Sequence, residues 1–98
     1  MKPVAYHCEA DVEVVSAARR YRCQQEELGR RFLRALQIAV EDIRKSPDRF
    51  PYYDRPLRAR RVAGFPYRVV YEELEDCIHI LSVMHTSREQ EFLKNRLS

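Results

Sequence analysis

The chain predicts an α+β fold: an N-terminal strand, a helical hairpin, an antiparallel three-stranded meander and a short C-terminal helix, with the sheet packed on the helices. Three observations carry this. Between Ala10 and Ile43 apolar residues recur three and four apart, the period of a helix with one buried face. From Leu57 to Glu73 they recur every second residue, the period of a strand. Helical and strand-like runs are also segregated along the chain, which favours a sheet layered on helices over an alternating parallel fold.

Each element has its own signature. Pro3 to Cys8 sets Val4, Tyr6 and Cys8 against Ala5 and His7, so a short first strand is expected. From about Ala10 a helical stripe follows, made of Val12, Val15, Ala18 and the aliphatic stem of Arg22. Asp11 and Glu13 lie near its start, where the helix dipole favours acidic groups. Regularity lapses between Cys23 and Glu27. A stronger stripe then runs through Leu28, Phe32, Leu36, Ala39 and Ile43, with Arg30, Arg31, Arg34, Glu41 and Arg44 largely off it. Ser46-Pro47-Asp48 ends this second helix, because proline disfavours helical geometry in the residue before it. The short break between the two helices implies a hairpin.

Residues 47–56, PDRFPYYDRP, hold three prolines and predict an extended surface loop with few ladder hydrogen bonds. Leu57 to Val62 alternates Leu57, Ala59 and Arg61 against Arg58, Arg60 and Val62, a basic strand. Ala63 to Pro66 turns the chain. Tyr67 to Glu73 then puts Tyr67, Val69 and Tyr71 on one face and Arg68, Val70 and Glu72 on the other. After Leu74-Glu75-Asp76, the nearly continuous apolar run from Cys77 to Met84 suits a central strand covered on both faces. Arg88 to Leu97 predicts the closing helix, capped by Ser87 and anchored by Phe92.

A chain of 98 residues fits one domain spanning 1–98, and 45% hydrophobic content with two glycines argues for a folded core. No run approaches the roughly 20 apolar residues of a membrane span, and the first residues are too acidic and interrupted for a signal peptide. A cytoplasmic protein with no membrane partner is expected. Cys8, Cys23 and Cys77 form no CxxC pair and read as buried thiols, and His7, His79 and His85 make no metal spacing. Neither metal nor cofactor is expected. The net charge of +3 hides a sorted distribution. Arg55, Arg58, Arg60, Arg61 and Arg68 occur with no acidic residue between Arg55 and Tyr71, and Glu72, Glu73, Glu75 and Asp76 follow at once. Such a surface suits a polyanion or an acidic protein.

The segments GFPYRVVYEE and ILSVMHTSRE, set behind a helical hairpin and an arginine-rich strand, resemble the RelE/ParE superfamily of type II toxin–antitoxin toxins. The resemblance runs from Ala5 to Arg96. It implies a toxin of the plasmid-stabilisation type that arrests growth and is neutralised by a co-encoded antitoxin. RelE-like members cleave mRNA in the ribosomal A site. ParE-like members inhibit DNA gyrase and are not known as hydrolases.

Carried over residue by residue, the resemblance gives Arg68 as the third-strand arginine of a nuclease, with the second-strand basic residues among Arg58, Arg60 and Arg61. The pattern then departs from that of the nucleases. Thr86 stands where they carry an arginine after the last strand, and Phe92 stands where they often carry a tyrosine. His85 and Arg88 are the remaining candidates if the chain is a nuclease. The LSVMHTSRE ending is closer to the ParE-like branch, so a gyrase inhibitor is expected, with Arg58, Arg60, Arg61 and Arg68 binding target or antitoxin. A ribosome-dependent endonuclease and an inactive binding module are the alternatives.

Plainer readings stand beside these. The second-strand arginines could be a solvated strand edge, Arg68 could pair with Glu72, and His85 could be a strand-end histidine satisfied by backbone. Tyr52, Tyr53, Tyr67 and Tyr71 interleave with arginines as on a base-stacking surface. Their period of two also makes Tyr67 and Tyr71 sheet-packing residues. The Leu28–Ile43 stripe could be core or antitoxin interface.

Overall fold

The structure is a computed structural model that describes residues 1–88, without the Arg88 side chain. Its elements are β1 (Val4–Tyr6), α1 (Cys8–Gln24), α2 (Glu26–Lys45), β2 (Tyr52–Asp54), β3 (Leu57–Arg61), β4 (Tyr67–Glu73) and β5 (Ile78–His85), closed by one 3-10 turn at Thr86–Arg88. The strands form one five-stranded sheet in the order β1-β5-β4-β3-β2. The meander β3-β4-β5 is antiparallel as expected. β1 joins it in parallel, Val4 opposite Ile78 and Tyr6 opposite Ile80. The expected C-terminal helix over 88–97 lies outside the described residues beyond its first position.

Two helices form because each end has a local reason. His7 caps α1, its Nδ1 accepting the Glu9 backbone N–H at 3.1 Å. The sequence offered this histidine no partner. Gln25 is the sole link between the helices, extended at φ −163° and ψ 130°, and its N–H still donates to the Tyr21 carbonyl. α2 folds back closely enough that a Cβ on Gly29 would sit 3.0 Å from the Arg22 Cβ and 3.2 Å from the Ala18 carbonyl oxygen. Only glycine fits that approach without a shift.

The α2 stripe is core: Phe32, Leu36, Ala39 and Ile43 are buried, and Leu28 is half-buried. The α1 stripe is not the expected one. The buried side runs Ala10, Val14, Ala17 and Tyr21, whereas Val12 and Val15 are 63% and 55% exposed. Alanines gave a weak signal on the packed side and valines a strong one on the open side.

Packed on the helices are Tyr67, Val69 and Tyr71 of β4 and Ile78, Ile80 and Val83 of β5. Tyr21, Phe32, Phe65 and Tyr67 form an aromatic cluster there, with Phe32 5.3 Å from Tyr21, 5.3 Å from Phe65 and 5.2 Å from Tyr67 between ring centroids. On the opposite sheet face lie Leu57, Ala59, Val70, Leu81 and Met84, with Tyr53 against them. The register of β4 and β5 slips at Leu81, since Val70 faces Ser82 and Tyr71 faces Ile80. The Glu13 carboxylate fastens this bulge to α1, accepting Ser82 Oγ–H and Val83 N–H at 3.0 Å each.

Two further expectations need correction. The 47–56 loop contains a strand, because Pro51 and Pro56 flank β2 and leave Tyr52 and Asp54 to pair with Arg58 and Leu57. The thiols are not buried: Cys8 and Cys23 are exposed and Cys77 is half-buried. The two exposed ones occupy opposite ends of α1, away from its packed side.

Candidate functional site: an arginine and aromatic edge

Register decides where each arginine points. Arg58 stands opposite Tyr71 and Arg60 opposite Val69, so both project from the helix-facing side of the sheet. Arg61 stands opposite Arg68, which in turn stands opposite Met84, so this pair projects from the other side. The basic strand is therefore divided between two faces.

Arg60 is fastened in place. Its Nη2 donates to Asp42 Oδ2 at 2.8 Å, its Nη1 donates to the Arg61 carbonyl, and its Nε is buried without a hydrogen-bond partner. The hydrogen bond from Arg60, with the charge behind it, holds the Asp42 carboxyl below its ordinary value. Arg58 Nη1 donates to the Phe50 carbonyl at 2.7 Å. Two rings organise the rest. The guanidinium carbons of Arg58 and Arg55 lie 3.9 and 4.2 Å from the Tyr52 ring centroid, and those of Arg60 and Arg49 lie 5.5 and 5.6 Å from that of Phe50. Each such contact is worth about 0.5–1 kcal/mol at an exposed site.

At the point where β2 stops and β3 continues, a groove of about 440 Å³ opens, lined by Arg49, Phe50, Tyr52, Arg60, Arg61 and Arg68 among others. Sequence reasoning missed Asp42, Arg49 and Phe50. Asp42 lies off the apolar stripe of α2, and only tertiary contact reveals its partner. Arg49 and Phe50 belong to the segment read as a plain loop.

His85 lies elsewhere. It faces Tyr67 with ring centroids 5.3 Å apart, on the helix side of the sheet, so it and Arg68 project from opposite faces. Its Nδ1 accepts the Ser87 backbone N–H at 3.2 Å and lies 2.8 Å from Ser87 Oγ, which leaves the ring hydrogen on Nε2. Around it a cleft of about 350 Å³ is lined by Glu13, Ser16, Arg20, Tyr67 and Ser87, with Arg20 Nη1 donating to Tyr67 Oη at 3.2 Å. Thr86 is exposed in the closing turn. The expected roles of the Arg88 side chain and Phe92 lie outside the described residues.

The hairpin carries a third surface. Val15, Ala18 and Leu33 line a groove of about 220 Å³ between α1 and α2, flanked by Arg19 and Arg22. Among the described residues no three His, Cys, Asp or Glu side chains are grouped to hold a metal ion, and no helix is long and apolar enough to cross a membrane.

The architecture is thus a helical hairpin under a five-stranded sheet with a basic edge. The chain belongs to the family of ParE toxins of the type II toxin–antitoxin system, parDE, whose family model matches residues 4–90. Among solved structures it is similar to a chain of the chromosomal ParDE toxin–antitoxin system from P. aeruginosa. That likeness has a TM-score of 0.64 at 16% identity and covers 87% of this chain and 96% of that one, which bears on the fold alone. No curated protein matches the chain.

Proposed function

We propose that the chain is the single-domain, cytoplasmic toxin of a plasmid-stabilisation type module, that it arrests growth by inhibiting DNA gyrase, and that a co-encoded antitoxin silences it. Target or antitoxin is met by Arg58, Arg60, Arg61 and Arg68, with Arg61 and Arg68 reaching it from the sheet face opposite the helices and Arg58 and Arg60 shaping the edge. The antitoxin also covers the hairpin groove at Val15 and Leu33, whose exposed apolar surface sits beside cations.

The observation that speaks against the nuclease set the resemblance gives, Arg68 with His85, is the separation of these two by the thickness of the sheet. Cleavage of a phosphodiester needs its cation and its acid or base within hydrogen-bond reach of one phosphate. These two cannot meet there. Purified toxin is expected to reduce supercoiling by gyrase in vitro, and supercoiling untouched at stoichiometric excess would overturn the reading.

A ribosome-dependent endonuclease is the second reading, favoured by Arg61 standing beside Arg68 on one face. Primer extension after induction distinguishes it, since ribosome-phased cuts would support it and intact transcripts would sink it.

A further inference from the structure

We propose that the groove at the open end of β3 binds a single strand of nucleic acid, with phosphates on Arg49 and Arg61 and a base on the stacked surface of Phe50 and Tyr52. This goes beyond gyrase inhibition and does not rest on it.

Three kinds of group meet in the groove. Cations come first: Arg49, Arg60, Arg61 and Arg68 line it, and Arg49 and Arg61 are exposed. Flat surfaces come second, because Phe50 and Tyr52 line it, Tyr52 is 44% exposed, and the guanidinium carbons of Arg49 and Arg60 lie 5.6 and 5.5 Å from the Phe50 ring centroid. A guanidinium held against a ring has already lost much of its rotamer freedom, so it binds an anion at lower entropic cost and offers a plane on which a base can stack. Acceptors come third, in the carboxylate of Asp42 on the groove wall. A nucleotide combines an anion, a plane and N–H donors. An acidic peptide matches only the first of these through its side chains.

The backbone leaves the groove accessible. Among the described residues β2 pairs only with Leu57 and Arg58, and Pro51 accepts the Ala59 N–H at 3.2 Å, so beyond Ala59 β3 runs past β2. Arg60 and Arg61 flank this opening from the two faces of the sheet. Arg60 is committed to Asp42, which makes Arg61 the better probe of the groove, whereas an Arg60→Glu change would set a second carboxylate beside Asp42.

The test is fluorescence anisotropy of the whole purified chain with a 5′-labelled oligothymidylate of about a dozen bases, without gyrase. Success or failure here is thereby independent of the supercoiling assay. Saturable binding is expected, with log affinity falling against log salt by about 0.7 per phosphate contacted. Arg61→Ala should reduce that slope by about 0.7, and Tyr52→Leu should weaken binding roughly fivefold or more at unchanged slope. Circular dichroism checks that both variants fold. Absence of saturable binding would overturn the proposal. So would oligothymidylate binding indifferent to Tyr52→Leu, or polyglutamate binding as tightly as the oligonucleotide, either of which would mark the groove as a site for acidic protein or for general charge attraction.

Discussion

Tyr71 places a fully buried ring in the core and a hydroxyl at the rim, where it donates to the Pro47 carbonyl at 2.5 Å. It thus ties β4 to the exit of α2. Burial pushes its pKa up to about 12, with Arg58 pulling the other way and Glu73 and Asp48 adding to the rise. In the unfolded chain tyrosine ionises near pH ~10. The folded chain holds this proton longer, so its contribution to stability is complete below about pH 10 and is lost as pH climbs towards 12. Tyr71→Phe should cost about 1 kcal/mol at neutral pH, because the Pro47 carbonyl loses its donor, and should flatten part of the alkaline decline. Urea melts at neutral and alkaline pH measure both effects. Little of this was legible beforehand. The alternation through Tyr67, Val69 and Tyr71 gave the buried face correctly, but nothing local links Tyr71 to Pro47, 24 residues away. The arginines repeat the lesson. Their alternation gave the faces, whereas Arg60's partner Asp42 and the rings beneath Arg58 and Arg60 belong to other segments of the chain.

Among the elements, the turn between β3 and β4 depends on one backbone conformation. Gly64 has φ +82°, in the left-handed region that L side chains adopt at a cost. A Cβ there would meet nothing within 4 Å, so strain and not collision is the penalty. Gly64→Ala should destabilise by about 1 kcal/mol, and Gly64→Asn by less because asparagine tolerates this region better. Thermal melts of the pair, read against each other, separate the backbone effect from any loss of contact. Unchanged melting of both would refute the argument. The elements themselves were mostly visible in the sequence, since periods of 3.6 and 2 survive in α2, β3 and β4, and β5 shows as an almost unbroken apolar run. β2 was hidden by its prolines. The packed side of α1 was hidden by its alanines, which bury as well as valines but announce it less.

On the scale of the molecule, the hairpin groove and the arginine edge have no lining residue in common, which allows their roles to be separated. Leu33 is 45% exposed and lies outside the core cluster, so Leu33→Glu should leave the fold intact. If the antitoxin covers this groove, the change should weaken the complex by tenfold or more while gyrase inhibition persists. Titration calorimetry with the antitoxin, alongside supercoiling assays, would show it, and loss of both activities together would argue for one shared surface. Topology adds a matter of timing. Val4 must wait for Ile78 before its strand has a neighbour. At about 5–20 residues per second, a ribosome takes roughly 4 to 15 s to synthesise the residues between these two partners. The nascent toxin therefore cannot complete its sheet until β5 has cleared the exit tunnel. For that interval the cell carries an unfinished poison, and an antitoxin already present can meet it as it is born.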